Sequence, residues 1–344
     1  MPAFGNRSVV RRVLLAVLMG LVLLAGAAAE EPRKLPDTPK LTEAVRRGWL
    51  RGQIVSGRIA FRGTRLGSMN DAAKSDGREE RMGIHITPQE FTVRYEMLSP
   101  EEEFLLEITG SDQIHVRRTA KGDSRLVPVD FRQAADEPLR LTVGPEEDEQ
   151  AHSSSSLWHL LITRPEVCRQ HLVPLLQVLD EQWDLSTTAE QVEASLLRAA
   201  AEGDLPDPRR WADLVEQLGD ERYARREAAD RELRALGRVV LTYLDGLDPS
   251  RLDAEQHYRV QRIVMMLSAS IENDTPPQIA SWMAGDPAVW LALLSRDDES
   301  TRRLAAQRLG ALLGKPVAFD PAADPATRAG QIEQLRSQIL GHIK

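Results

Sequence analysis

The chain has 344 residues, of which 42% are hydrophobic and 28% charged, and its formal net charge is −8. This length is sufficient for two domains with separate cores. The excess of acids argues against a nucleic-acid partner, because a phosphate-binding protein needs a basic surface. The single cysteine, Cys168, excludes an internal disulfide, so packing must stabilise the fold.

The N-terminus has the pattern of a secretory signal peptide. Three arginines precede an uncharged run that ends in Ala27, Ala28 and Ala29. The apolar stretch, residues 13–24, is shorter than the roughly 20 residues of a membrane-spanning helix. We therefore expect removal of residues 1–29, which changes the net charge from −8 to −11 because 41 Lys+Arg then face 52 Asp+Glu. The expected location is periplasmic or secreted, and retention as a membrane anchor is the less favoured alternative.

Residues 30–144 are predicted to form an antiparallel β domain with a short N-terminal helix. Hydrophobic residues alternate with polar ones from about residue 91, which indicates strands with one buried face. Short, turn-forming connections favour antiparallel neighbours. The earlier runs QIVSGRIAF and MGIHIT are predicted to add one strand each, separated by a polar loop over residues 63–80. The side chains predicted to share one apolar interior are Val93, Tyr95, Phe104, Leu106, Val129 and Phe131.

The predicted N-terminal helix covers residues 41–50. Its apolar residues Leu41, Val45, Trp49 and Leu50 lie near one helical stripe. We expect this stripe to cover the apolar face of the sheet, because that face must be shielded from water.

The segment PEEDEQAHSSSS, residues 145–156, has no apolar periodicity and is predicted to be a linker. Residues 157–344 are predicted to be helical. Thr187 and Glu190 have the spacing of a capping box, and Gly203 is predicted to end that helix. Asp286 and Gly314 are a predicted helix start and stop. The predicted fold class is therefore α+β with two domains, an antiparallel β-sheet domain followed by an all-α domain.

The stretch GDERYARREAADRELRALG, residues 219–237, contains five arginines and five acids. Opposite charges recur four residues apart, as in Glu221 with Arg225, Glu227 with Arg231, and Asp230 with Arg234. Such pairs are typical of a solvated helix face. The small apolar residues of the same helix recur at helical spacing and are predicted to be buried. They are Ala229, Leu233, Leu236 and Val240.

A partial repeat of this stretch occurs 77 residues later, at DDESTRRLAAQRLGALLG. Half of that offset is close to the period of about 40 residues that HEAT-type helix pairs have. The phrases LGDERYARREAADRELRALG, TRRLAAQRLGALLG and FDPAADPATRAGQIEQLRSQI resemble those of HEAT-like repeat proteins that planctomycete bacteria export. The resemblance covers about residues 205–343. It implies a helical-repeat fold and no particular activity.

Candidate residues for chemistry are few. Cys168 and His171 are three residues apart, so a thiolate–imidazole pair or half of a zinc site is conceivable, with His159 or His152 nearby. No second metal-binding motif accompanies them, and a cysteine in an apolar helix is more often a core residue. Glu101, Glu102 and Glu103 form an acidic run with no sign of a catalytic pair. We predict no catalytic, cofactor-binding or metal-binding residue and no enzymatic activity.

Two functions from different classes remain. The favoured hypothesis is an exported interaction protein whose helix pairs form a protein-binding surface. The alternative assigns the function to the β domain. The stretches GRIAF and EFTVRYEMLSPEEEFLLEITGSDQIHVRR are loosely similar to the open half-barrel of outer-membrane lipoprotein carriers. That resemblance implies a lipid or other hydrophobic ligand on the concave face of the sheet. An apolar cavity there would favour a lipid carrier, and a filled core would favour a scaffold.

Overall fold

The computed structural model of the chain describes residues 41, 44–45, 47–75, 77–122, 124–135, 137–180, 182–203, 208–268 and 274–342. The predicted signal peptide, its cleavage site and the alternative membrane anchor lie outside the described residues. Within the described part, an N-terminal antiparallel sheet region precedes a C-terminal helical region, as predicted for an α+β chain with two domains.

Ten strands form two sheets in the part of the chain that the structure describes. A two-stranded hairpin consists of β1 (Leu50–Val55) and β2 (Arg58–Gly63). The other eight strands follow one another as an antiparallel meander, so that β3 and β10 are its edges. They are β3 (Gly67–Ser75), β4 (Arg78–Ile86), β5 (Phe91–Leu98), β6 (Glu102–Thr109), β7 (Gln113–Ala120), β8 (Val129–Gln133), β9 (Leu139–Val143) and β10 (Gln150–Ser154).

The apolar side chains of the meander share one buried face. The register places Val93 opposite Ile108, and Tyr95 opposite Leu106. Because side chains alternate between the faces of a strand, this register collects the alternating apolar residues on one side. All six side chains predicted to face the interior are at most 2% exposed. That prediction is confirmed.

Three strand predictions require correction. The run QIVSGRIAF is a hairpin rather than one strand, with Ser56 and Gly57 both at positive φ, as a two-residue hairpin turn requires. The predicted loop over residues 63–80 contains β3, and the predicted linker over residues 145–156 contains β10. Both are edge strands with largely exposed side chains. An edge strand is held by backbone hydrogen bonds, so it needs no apolar alternation.

The helical region follows β10 directly. Its α-helices are α1 (Leu157–Thr163), α2 (Pro165–Val167), α3 (Val173–Leu176), α4 (Leu185–Glu202), α5 (Pro208–Gln217), α6 (Tyr223–Ala235), α7 (Leu241–Asp245), α8 (Ala254–Ser268), α9 (Pro276–Met283), α10 (Pro287–Leu293), α11 (Glu299–Leu313) and α12 (Pro325–His342). A π-helical turn, Cys168–Leu172, joins α2 to α3. This turn and α3 lie against β8 and β7.

The sheet and most helices share one hydrophobic core. Phe131 and Leu106 of the sheet belong to the same buried cluster as Leu160, Leu196 and Trp290 of the helices. Residues 41–50 were predicted to cover the apolar face of the sheet, but they are only part of what covers it. Leu41 and Leu50 belong to the cluster and Val45 and Trp49 pack against it, but Leu50 begins β1, and helices of the C-terminal region belong to the same cluster.

A second buried cluster lies within residues 208–268. It contains Trp211, Leu218, Ala229, Leu233 and Ile263, contributed by helices α5, α6 and α8 and the turn after α5. The predicted burial of Ala229, Leu233 and Val240 is confirmed, and Leu236 packs partly buried against this cluster. These helices therefore have a small core of their own.

The hairpin β1–β2 is fastened to both regions by buried polar side chains. The carboxylate of Asp274 accepts hydrogen bonds from Ser56 N at 2.8 Å, Gly57 N at 2.6 Å and Trp158 Nε1 at 3.0 Å. Gln133, at the end of β8, accepts from Ile59 N and donates to Ile59 O. Because these groups are buried, losing one partner would leave backbone donors without an acceptor.

The helix boundaries confirm most of the predicted caps. Gly203 and Gly314 end their helices in the left-handed conformation, and the Asp286 side chain accepts from Ala288 N. The capping box at Thr187 is wrong. The side chain of Asp184 caps α4 instead, accepting from Thr187 N at 3.1 Å, so the helix begins earlier than the Thr–Glu spacing indicated.

Candidate protein-binding surface

A buried ion-pair network joins α6 to α8. Asp230 is 2% exposed and lies 2.5 Å from Arg234 Nε and 2.9 Å from Arg262 Nη2. Arg259, also buried, lies 2.8 Å from Glu227 and 2.5 Å from Glu255. The prediction that the charges of residues 219–237 form a solvated face is therefore wrong for Asp230. Its spacing from Arg234 was predicted correctly, but the pair lies at the contact between two helices.

The same contacts define how α6 and α8 are arranged. Glu227 contacts Arg259, and three residues later Asp230 contacts Arg262. The contacts advance in the same direction along both helices, so α6 and α8 run parallel. This is the relation between equivalent helices of stacked helix pairs.

Large apolar side chains are exposed beside this network. Tyr223 of α6 and Tyr258, Met265 and Met266 of α8 are exposed, with Met265 at 73%. The guanidinium carbon of Arg226 lies 5.6 Å from the ring centroid of Tyr223, and that of Arg262 lies 5.9 Å from the ring centroid of Tyr258. We call these six residues the α6–α8 surface: Tyr223, Arg226, Tyr258, Arg262, Met265 and Met266.

This composition matches that of protein interfaces. Tyrosine, arginine and methionine are enriched in interface cores, whereas lysine is depleted. The acids hold the arginines in place, since Arg262 is paired with Asp230 and Arg226 Nε lies 3.4 Å from Glu255. Arg226 Nη1 also donates to the backbone carbonyls of Asp220 and Glu221. Side chains fixed before binding lose less conformational entropy when a partner arrives. The arrangement is suited to binding a protein and carries no reactive group.

The sequence pattern does not by itself identify these residues as exposed. One signal was present, because the five consecutive apolar residues 263–267 point to all sides of a helix, so a core on one side cannot bury all of them. Tyr258, Arg262 and Met265 also recur at i, i+4 and i+7, which places them on one face. Whether that face is buried or exposed depends on the neighbouring helices, which the local pattern does not reveal.

The conceivable thiol or zinc site is not assembled around Cys168. Its side chain is fully buried and donates to Leu160 O at 3.4 Å. Burial raises the pKa of the Cys168 thiol to about 12, although Arg164 opposes the shift. The thiol therefore stays protonated at neutral pH and is a poor metal ligand or nucleophile. Among the described residues, no group of three or more His, Cys, Asp and Glu side chains could hold a metal ion.

His159 lies between a serine and an aspartate rather than near Cys168. Its Nδ1 is 2.9 Å from Ser156 Oγ and its Nε2 is 3.0 Å from Asp286 Oδ2. These are the side-chain types of a serine-hydrolase triad, but Ser156 is the N-cap of α1 and Asp286 that of α10. Gly57 lies directly over Ser156, since a Cβ at Gly57 would be 2.4 Å from Ser156 Cβ. A substrate has no access to the hydroxyl, and the three side chains tie two helix starts together.

The other titratable candidates are dispersed. His152 lies on β10, where burial and then Arg164 lower its pKa, and His171 lies in the π-helical turn, where burial and then Arg118 do the same. Glu102 is buried on the inner face of β6, whereas Glu101 precedes the strand and Glu103 points to the opposite face. The three acids therefore do not form a carboxylate pair.

The lipid-carrier hypothesis places a hydrophobic ligand on the inner face of the sheet. Tyr95, Leu106 and Phe131 on that face are fully buried within the core shared with the helices. A groove of about 450 Å³ lies instead on the outer side, over Gly83 and between Arg81 and Arg94. Charged side chains, including Glu96, line this groove together with Ala72 and Met82. A smaller pocket of about 160 Å³ lies between α1, the π-helical turn and α4.

Comparisons with known proteins do not supply a family. No protein-family model, no curated protein and no solved structure matches the chain. Within the described residues, none of the helices combines the length and the hydropathy needed to cross a bilayer.

Proposed function

We propose that this chain is an exported, non-enzymatic interaction protein that binds another protein through the α6–α8 surface. The observation that carries the proposal is the exposed set of Tyr223, Tyr258, Met265 and Met266 around arginines that internal acids hold in place. Solvent-exposed apolar side chains grouped in this way mark interaction sites more often than single exposed residues do.

A repeated helix-pair geometry supports the helical-repeat part of the proposal. Ala229 and Leu233 of α6 are buried, as are Ala305 and Leu309 of α11, 76 residues later. Arg226 donates to the carbonyls five and six residues before it, and Arg302 does the same. The offset is 76 rather than the predicted 77. The left-handed glycines that follow the two helices, Gly237 and Gly314, are 77 residues apart, so the chain from the buried leucine to the glycine is one residue longer in α11 than in α6.

The packed inner face of the sheet favours this proposal over a lipid carrier. A carrier needs space for an acyl chain, whereas helix side chains already occupy the concave side of the meander. Lipid extraction of the purified protein tests the alternative. A stoichiometric lipid would revive it.

Export is part of the proposal and rests on residues 1–29. The mature protein recovered from the exporting cell is expected to begin at or near Glu30. An intact mass that still includes Met1–Ala29 in a membrane fraction would instead identify a retained anchor.

Photocrosslinking tests protein binding directly. A photoreactive residue at position 258, in the exporting cell, is expected to form a protein adduct that Met265→Glu in the same chain abolishes. A photoreactive residue at position 66 is the matched control, because Leu66 is similarly exposed at 69% but lies in the sheet region. Equal adducts from both positions, or no protein adduct from position 258, would contradict the proposal.

A further inference from the structure

We propose that the α6–α8 surface binds a second copy of this chain, with the α8 helices of two copies packed across a twofold axis. The inference rests on the proposed function, because it names the partner of the same surface. Three observations carry it: the position of α8 in the helix stack, the charge of residues 208–268, and the distribution of that charge on the surface.

The helix α8 has a packed side and an apolar exposed side. Val260 and Ile263 are buried in the small core, and Arg259 contacts α6. On the side away from Val260 and Ile263, Tyr258 and Met265 are exposed, and Met266 is exposed between that side and Arg259, with none of the described helices over them. Stacked helix pairs normally end in a polar outer face, because an apolar end attracts another helix. The exposed side of α8 therefore resembles a helix surface that packs against another helix, but none of the described helices covers it.

The charge balance favours a second copy over an oppositely charged partner. Residues 208–268 contain 11 arginines, no lysine and 11 acids, so this unit has a net charge of zero while the whole chain has −8. Charges on the rest of the molecule are screened beyond about 8 Å at physiological ionic strength. Two identical acidic chains therefore meet least repulsion where the local charge is zero. A strongly basic or strongly acidic partner gains nothing from a neutral face.

The surface also has the self-complementary character that a twofold interface requires. In such an interface the same patch occurs on both sides, so the arginines of the α6–α8 surface need a neighbouring acid to offset like charges across the axis. Glu255 and Arg262 are both 44% exposed in their side chains, and both lie on α8. A twofold axis perpendicular to α8 makes the two copies of the helix antiparallel, which brings Met265 and Met266 of one copy towards Tyr258 of the other. Thioether–aromatic contacts of this kind are favourable.

Arg262 would lie close to the axis of this arrangement. Two copies then place two guanidinium groups near each other, which would be repulsive if they were unpaired. Each Arg262 is 2.9 Å from Asp230 of its own chain, a carboxylate that also contacts Arg234, so the positive charge is partly offset. The planar group remains available to stack over Tyr258.

Mass measurement tests the inference. Sedimentation equilibrium of the protein purified from the exporting cell, from about 1 to 200 µM, is expected to show the mass rising from monomer towards dimer. Met265→Glu is expected to raise the dimer dissociation constant at least tenfold, and Met265→Lys equally, since loss of apolar contact is the cause in both. Leu66→Glu is the matched control and should leave the constant unchanged. Thermal melts identify any variant that fails to fold.

Several outcomes would overturn the inference. They are a monomer at the highest concentration, an equal effect of Leu66→Glu and Met265→Glu, and cosedimentation with phosphatidylglycerol vesicles that Met265→Glu abolishes. The crosslinking experiment distinguishes failure of self-association from failure of protein binding in general. A monomeric protein that still forms a Met265-dependent adduct with a different protein in cells would overturn self-association and leave protein binding standing.

Discussion

Single side chains of α6 differ in what surrounds them, although the sequence presents them as one charged stretch. Arg225 pairs with Asp220 at 3.1 Å and is largely exposed. Arg234 instead contacts the buried carboxylate of Asp230. Ala229 lies in the helix–helix contact with no space around it. Substitutions at these three positions should therefore have graded effects.

We expect Arg225→Glu to change the free energy of unfolding by less than about 1 kcal/mol, because it is an exposed pair. Arg234→Glu should cost about 2–3 kcal/mol, since it places a second carboxylate beside buried Asp230. Ala229→Glu should cost more than about 3 kcal/mol or prevent folding, because the charge is buried without a partner. Urea unfolding of the full chain measures all three. An effect of Arg225→Glu as large as that of Arg234→Glu would show that the two arginines have equivalent surroundings.

Cys168 is expected to behave as a small core residue. Its buried thiol, with a pKa raised to about 12, should not react with a thiol reagent at pH 8 unless the protein unfolds. Cys168→Ala should cost about 1–2 kcal/mol, because only the sulfur atom is lost from the core. Rapid labelling of the native protein, or zinc that is lost with Cys168→Ala, would restore a chemical role.

At the scale of elements, a line of ion pairs crosses the outer face of the sheet. Arg94 of β5 contacts Glu107 of β6, His115 of β7 lies 3.6 Å from Glu107, and His115 is 2.9 Å from Asp130 of β8. Burial opposes ionisation of Asp130, but hydrogen bonds with His115 and Arg132 outweigh it and lower its pKa to about 2. The pairs join four neighbouring strands.

The lowered pKa of Asp130 gives a pH-dependent contribution to stability. Its folded pKa lies below its unfolded value of about 3.9, so the stabilisation is complete above pH 4 and is lost as the pH falls towards 2. We expect this contribution to be about 2 kcal/mol at most. Urea unfolding at several pH values should show a smaller loss of stability on acidification for Asp130→Asn than for the unsubstituted protein. Identical pH dependence in the two proteins would contradict the assignment.

At the scale of the whole molecule, the two hydrophobic clusters do not divide the chain at the domain boundary that the sequence predicted. One cluster joins the sheet to α1, α4 and α9–α12, and the other holds residues 208–268. The predicted linker at residues 145–156 is not a boundary between cores, because β10 occupies part of it and α1 follows at once. Residues 208–268 therefore form a smaller unit around their own cluster, and the helices before and after this unit belong to the larger core.

Hydrogen exchange can distinguish the two clusters. Leu233→Ala should destabilise its surroundings by about 2–5 kcal/mol and increase amide exchange within residues 208–268, with little change in β5–β7. Leu106→Ala is the matched control, because this leucine is equally buried but lies in the shared core. It should increase exchange in both the sheet and the helices packed on it. Loss of protection in the sheet after Leu233→Ala would mean that the clusters unfold as one.

Much of this architecture could be predicted because it depends on local signals. The alternation of apolar residues from β5 to β9 determined the strands and their buried face, and left-handed glycines such as Gly203 and Gly314 determined helix ends. Edge strands β3 and β10 could not be predicted, since their backbone pairs hold them while their side chains stay exposed.

The local sequence therefore determined the order of sheet and helices, the inward-facing residues of the meander and the spacing of charges on α6. Only the tertiary structure decided that helices fill the inner face of the sheet, that Asp230 is buried between α6 and α8, and that Tyr258, Met265 and Met266 are left outside. A helical pattern defines which residues share a face, whereas burial of that face depends on which other helix reaches it. That second condition is set by contacts between residues distant in the chain, which no short stretch of sequence contains.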